Sequence, residues 1–342
     1  MSTLVLQASQ AARQVDRVLL FTAILAIGIM LVLPRGEAVG MFTFTADSLI
    51  SIAPFLVASA VSAAYLSAAG ADGLIGKAFR ARPVEAIFAA ALFGALSPFC
   101  SCGVIPLIAA LLAAGTPLPA VMAFWLASPV MDPEMFLLTV GGIGFEFATA
   151  KTLAAIGLGI FGGFATFGVE KIGGLKDPLR HAEVFNRCGG GSATDDQHVW
   201  AFWREPARRE AFGERFRWTI FFLGKWLLLA FVLEALMVAY LPPELVAEWL
   251  GGDSVWAIPL SVLVGVPAYM NGYAAIPLVA GLMDTGMGPG PALAFMTAGA
   301  VTSVPAAIAV FALVKRPVFA WYVALAAVGS VLAGFGYQFW VV

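Results

Sequence analysis

Gly94-Ala95-Leu96-Ser97-Pro98-Phe99-Cys100-Ser101-Cys102-Gly103-Val104-Ile105-Pro106-Leu107 is a hydrophobic stretch broken in its middle. The chain returns to the same pattern 171 residues later, as Gly265-Val266-Pro267-Ala268-Tyr269-Met270-Asn271-Gly272-Tyr273-Ala274-Ala275-Ile276-Pro277-Leu278. Without a gap, that offset pairs Gly94 with Gly265, Ile105 with Ile276, Pro106 with Pro277, Leu107 with Leu278, Gly115 with Gly286, Ala123 with Ala294 and Phe124 with Phe295. Apolar residues coincide easily in such a composition. Coincident glycines and prolines do not, so the pattern reads as an internal duplication.

Composition sets the environment of this repeat. Of 342 residues, 61% are hydrophobic and 12% charged, with mean hydropathy +0.92. Soluble domains carry about 25% charged residues, so this chain could not cover a water-facing surface. Its apolar runs are long enough to cross a hydrocarbon core of roughly 30 Å. They fall at about 19–34, 46–68, 84–98, 103–114, 117–143, 146–169, 216–240, 255–268, 273–283, 289–313 and 318–340. In lipid each must satisfy its own backbone, which makes helices the default and predicts an all-α polytopic membrane protein. The first run follows Arg13 and Arg17 and has no small-residue cleavage site after it, as expected of a retained signal-anchor helix. The net charge of −2 and the lack of a basic patch argue against a nucleic-acid partner.

Short basic loops stay cytoplasmic. Lys77, Arg80 and Arg82 mark one, Lys315-Arg316 another, and residues 171–217 hold nine basic residues, whereas 241–254 carries only Glu244, Glu248 and Asp253. Those sides are consistent if 84–114 is a hairpin entering from the cytoplasm and 255–283 one entering from outside. The chain then divides into 1–45, a cytoplasmic N-terminal segment with one extra helix; 46–170, the first membrane repeat; 171–215, a polar cytoplasmic loop; and 216–342, the second repeat. Each repeat reads span, hairpin, span, span, in opposite orientations. Inverted repeats with broken helices near the midplane are a recurring transporter design. Counting each interrupted pair as one kinked crossing remains the alternative, and it leaves the nine basic residues outside.

Chemistry is expected at the breaks. Pro98 and Pro106 each remove a helix hydrogen bond, Gly103 tolerates a left-handed backbone, and the freed backbone must line protein or a wet cavity. On a turning backbone the thiols of Cys100 and Cys102 can converge on one soft atom beside Ser101, and thiolates select thiophilic species. Each thiol could otherwise be a small buried hydrophobe. In the second repeat, Asn271 stands opposite Cys100 and Tyr273 opposite Cys102. With Tyr269 they would supply amide and aromatic groups, while Pro267, Gly272 and Pro277 break the helix; alternatively, Asn271-Gly272 is a tight external turn. A third break, Ser128-Pro129-Val130-Met131-Asp132-Pro133-Glu134, puts Asp132 and Glu134 at membrane depth, as coupling carboxylates or as caps of the half-helix beginning at Pro133. Lys225 and Glu234 lie on opposite faces of 216–240, and each is expected to meet another helix or reach toward the interface. His181, Cys188 and His198 in the polar loop lack a zinc spacing, so no metal site and no cofactor is expected. Gly76-Lys77-Ala78 is not a phosphate-binding loop, so uphill transport would draw on an ion gradient or a separate subunit.

The Ser97–Pro106 run, the Ser128-Pro129…Asp132-Pro133 break and the later Gly-Val-Pro…Asn-Gly-Tyr…Ile-Pro-Leu run resemble the predicted permease family that includes YraQ-type proteins and the organoarsenical efflux permease ArsP. The resemblance extends from about residue 46 to 340 and is most specific at Cys-Ser-Cys-Gly. It implies efflux of trivalent organoarsenicals such as methylarsenite, with Cys100 and Cys102 as ligands, or of soft metal ions (Zn, Cu, Cd) in related members. Another option is a membrane thiol-redox protein cycling Cys100 and Cys102, against which stands the strained ring of a Cys-x-Cys disulfide. The expectation is a non-enzymatic, multi-pass permease of the bacterial inner membrane with a cytoplasmic N-terminus, a small thiophilic substrate and the lipid bilayer as partners.

Overall fold

The computed structural model describes residues 17–69, 82–97, 101–113, 115–175, 177–180, 202–240, 256–268, 272–284 and 286–341. The expected all-α architecture is present. Its helices are α1 (Arg17–Val32), α2 (Arg35–Ala69), α3 (Pro83–Leu96), α4 (Ser101–Ala113), α5 (Leu118–Ala127), α6 (Pro133–Gly142), α7 (Phe145–Lys171), α8 (Pro206–Tyr240), α9 (Ala257–Ala268), α10 (Gly272–Asp284), α11 (Pro289–Thr302), α12 (Val304–Leu313) and α13 (Arg316–Val341). Helices α7, α8 and α13 contain apolar stretches long enough to cross a membrane, at Phe145–Lys171, Pro206–Leu236 and Arg316–Val341. Two more crossings arise if α2, bent by 41° beyond Pro54, and the α11–α12 pair, bent by 44°, each count as one span.

Helices α2 to α7 recur as α8 to α13 at the offset of 171 residues. The bounds of α2, α4 and α6 map without error onto those of α8, α10 and α12, and α5 and α7 map onto the starts of α11 and α13. Local chemistry recurs with them. The Gly115 N–H donates to Leu112 O and that of Thr116 to Leu111 O; Gly286 and Met287 do the same with Met283 and Leu282. Gly115 (φ 77°) and Gly286 (φ 107°) supply the left-handed residue that this helix ending requires. Close approach recurs too. A Cβ on Gly94 would stand 2.8 Å from the Phe124 carbonyl oxygen, and one on Gly265 would stand 2.8 Å from that of Phe295. Lipid gives helices little hydrophobic reason to associate, so small residues that let backbones approach hold such bundles together.

Direction follows from these contacts. Gly163 of α7 lies against Ile87 of α3 and Ala123 of α5, while Gly159 lies against Ala91 and Ala127. Helices α3 and α5 therefore run parallel to each other and antiparallel to α7, so the chain between them turns back through α4. Equivalent helices of the two halves also oppose one another. Along α7, Phe147, Leu158, Gly162 and Thr166 meet Tyr337, Gly329, Leu325 and Trp321 of α13 in descending order. The start of α2 (Ala38, Met41) packs on the end of α8 (Val232, Ala235), and Arg208 near the start of α8 donates to Ala68 O at the end of α2, at 3.0 Å. Every residue of α5 is buried, as is nearly all of α11, so this equivalent pair lies inside the bundle.

Several boundaries differ from the sequence expectation. Helices α2 and α8 begin at Arg35 and Pro206, about ten residues before their apolar runs, because their first turns are polar. The run 117–143 is two short helices, separated at 128–132. Pro106 and Pro277, expected as breaks, sit inside α4 and α10, and Gly103 is helical. Neighbouring helices in a membrane can satisfy the carbonyl that a proline leaves free.

Candidate functional site

Helix α3 is capped by Ser97, a buried residue with extended backbone (ψ 127°) whose N–H closes the end of the helix on Gly94 O at 3.0 Å. Pro98 and Cys100 lie outside the described residues. Ser101, Cys102 and Gly103 form the first turn of α4. The second hairpin matches it. Tyr269 and Asn271 lie outside the described residues, Pro267 is the penultimate residue of α9, and Gly272 and Tyr273 open α10. Each return helix thus presents its N-terminal end, with free N–H groups and partial positive charge, toward its tip. The level at which α3 ends is set by contact: Gly94 abuts Phe124 and Ala127, and Ala127 faces Gly159 of α7, one residue from Leu158, where α7 crosses Gly329 of α13. Leu158 and Gly329 are themselves equivalent by the 171-residue offset, so the last turn of α3 lies near the centre of the pseudo-symmetric arrangement. Each return helix also leans on the opposite half, α4 on α12 and α10 on α6.

The third break is fully described. Helix α5 ends at Ala127 and Pro129 lies in the turn that follows. Asp132 is the N-cap of α6, its carboxylate accepting from Met135 N at 2.8 Å, with Pro133 in the first helical position. That is the favoured chemistry for starting a helix. Asp132 is half-buried whereas Glu134 is exposed, so the two carboxylates do not form one buried pair.

Lys151 escaped the sequence reading. It lies on α7, fully buried, and its Nζ has no hydrogen-bond partner among the described residues. The charge acting on it is that of Asp132. A lone lysine in an apolar helix was the available signal. Glu234 of α8 is buried as well, with one carboxylate oxygen unpaired among the described residues, and Lys225 lies 5.5 Å from the Phe221 ring. His181, Cys188 and His198 fall outside the described residues. Among those described, no three His, Cys, Asp or Glu side chains gather as a metal site would need. A cavity of about 390 Å³ lies between the start of α7 and the end of α13 and is apolar except for Glu146, Thr149 and Tyr337.

Apolar spans, a buried central pair of helices and interrupted helices that double back define a multi-pass membrane protein of the transport class. The chain belongs to the ArsP-type family described as predicted permease, whose model matches residues 37–339. It is similar to a UPF0718 protein of Methanocaldococcus jannaschii, 27% identical over 109 residues (32% of this chain, 30% of the relative), and to the UPF0718 protein YcgR of Bacillus subtilis, 30% identical over 96 residues (28% and 33%). These alignments span about a third of the length of the curated relatives. No solved structure matches the chain.

Proposed function

We propose that this protein is an ion-gradient-driven inner-membrane exporter of small thiophilic solutes, with trivalent organoarsenicals of the methylarsenite type as substrate. Cys100 and Cys102 are its ligands. Each As–OH bond is replaced by As–S, and the hydroxyl leaves as water with the thiol proton. Ser101, Asn271, Tyr269 and Tyr273 line the remaining pocket. The observation that carries this reading is the position of Ser101-Cys102-Gly103 in the first turn of α4, a half-helix separated by four residues from the end of α3 near the centre of the bundle.

The same proposal includes the topology. The units 46–170 and 216–342 are inverted repeats, after a cytoplasmic N-terminus and the segment 1–45, with 171–215 as a cytoplasmic loop. Support comes from the antiparallel packing of α2 on α8 and α7 on α13, and from the return of the chain between α3 and α5. The contact of Leu179 with Val314 puts the stretch after α7 beside the basic Lys315-Arg316 turn, as a shared cytoplasmic side requires.

In a strain lacking other arsenical exporters, Cys100→Ser or Cys102→Ser should abolish resistance to methylarsenite while membrane insertion is unchanged. Full resistance in the double variant would overturn the ligand assignment. Cysteines introduced at residues 75 and 250 should be labelled by an impermeant maleimide from opposite sides; labelling from one side would overturn the inverted arrangement.

A further inference from the structure

The first half carries a charged pair where the second half carries a neutral one. At the 171-residue offset Lys151 corresponds to Tyr322 and Asp132 to Ser303. In the second half the pair is neutral and Tyr322 is held. Its hydroxyl donates to Val301 O, and its ring stacks on Trp125 at 4.7 Å. In the first half the fully buried Nζ of Lys151 has no hydrogen-bond partner among the described residues, and the field of Asp132 reaches it without a direct ion pair. The break beside it is wider too: 128–132 against Ser303 alone.

An unpaired ammonium out of water costs several kcal/mol, and an ionisable side chain at membrane depth marks a pathway or relay more often than a scaffold. Lys151 is seven residues, about 10 Å of helix rise, from Leu158 at the α7–α13 crossing, between the centre of the bundle and the N-terminal end of α7. The helices packed on α7 bring few competing charges. Helices α5 and α11 contain no ionisable residue, and α3 has only Glu85, paired with Arg82 at 2.9 Å. Helix α6 has the exposed Glu134, and α13 contributes Tyr322, Tyr337 and the terminal Arg316. Glu146, Glu170 and Lys171 stand at the ends of α7 itself.

Building on the transport reading above, we propose that Lys151 is the coupling group of the cycle, with Asp132 as its counter-charge. The amine takes one proton from water on the outer side, forming an N–H bond. The ammonium pairs with Asp132 as the 128–132 break closes on it, and the proton returns to water on the cytoplasmic side once that contact opens. The second half, with Tyr322 and Ser303, takes up no proton.

Lys151→Tyr tests this, because it copies the residue that the second half accommodates at the equivalent position; Lys151→Met is the companion. In everted vesicles an acid interior should drive methylarsenite uptake by the wild type. Both variants should lose that stimulation and keep counterflow exchange without a gradient. Stimulation persisting in either variant, or absent from the wild type that does transport, overturns the proposal, as does loss of counterflow in both variants. A wild type that does not move methylarsenite refutes the substrate reading, and a second readout then decides. In a Cys188→Ser background, the N-ethylmaleimide labelling rate of Cys100 and Cys102 is compared between Lys151 and Lys151→Tyr proteins from about pH 6 to about pH 9. A ratio that changes with pH supports a proton-linked rearrangement at Lys151; a constant ratio overturns it.

Discussion

In the first half of the molecule the central helix α5 stops at Ala127, and five residues pass before α6 begins. In the second half its counterpart α11 continues to Thr302, and Ser303 alone separates it from α12. The bounds of α4 and α6 match those of α10 and α12 residue for residue, so the difference is local. It coincides with chemistry: Asp132 and Lys151 carry a carboxylate and an amine where Ser303 and Tyr322 carry hydroxyls, and Tyr322 donates to Val301 O whereas Lys151 Nζ has no partner among the described residues. Two copies of one trace have thus diverged into a hydrogen-bonded version and one with an orphaned charge. A bundle held by close backbone contacts can tolerate such a divergence where the helix is already interrupted. It could not do so at Gly94 or Gly265, where the two halves remain alike.

That contrast can be broken at its conserved and its divergent positions. The largest stability effect is expected where the halves agree. Gly94→Ala and Gly265→Ala each force a Cβ to 2.8 Å from a backbone oxygen of a fully packed helix, and such overpacking costs about 1–3 kcal/mol. Melting of the purified protein in detergent should fall by a similar amount for both, and an effect confined to one would show that the packing is not equivalent. Where the halves differ, the effects should differ. Asp132→Ala removes a capping hydrogen bond, worth about 1 kcal/mol. Ser303 makes no side-chain capping bond, so Ser303→Ala should leave the melting temperature near that of the wild type. Equal losses would refute the assignment of capping to the first half alone.

The duplication was legible because its markers are residues with steric duties. Gly94 and Gly265 mark close approach, and Gly115 and Gly286 mark helix endings, so neither pair is free to drift as Leu and Val are. The starts of α2 and α8 were hidden because Arg35–Asp47 and Pro206–Trp218 are too polar to register as apolar runs, although both are helical. Pro106 and Pro277 misled, since proline in a packed membrane helix does not end it. At the candidate site, Asp132 was recognised from its own break. Lys151, nineteen residues along the chain, was not, because only the packing of α7 beside the α5–α6 turn brings it within the field of that carboxylate. A comparison at the repeat offset would have flagged it as a charge facing a tyrosine.

The smallest expected effect sits at the bundle's edge, where the halves differ at one contacting pair of positions. Trp321 of α13 donates its indole N–H to Thr166 of α7 at 3.1 Å, and the equivalents of these residues are Ala150 and Tyr337. With alanine in place of tryptophan, the first half has the cavity of about 390 Å³ between the start of α7 and the end of α13. Ala150→Trp should refill part of it, with Tyr337 available as acceptor where Thr166 serves the other end. The gain comes from dispersion, since exposed Phe145, Leu153 and Trp340 at its rim already face an apolar surround. Cavity filling commonly yields +0.5–2 kcal/mol in soluble proteins, and here about 1 kcal/mol or less is expected, read as a rise of the melting temperature in detergent. A fall would mean that the two ends of the α7–α13 pair are not shaped alike, which would limit the pseudo-symmetry to the helix backbones.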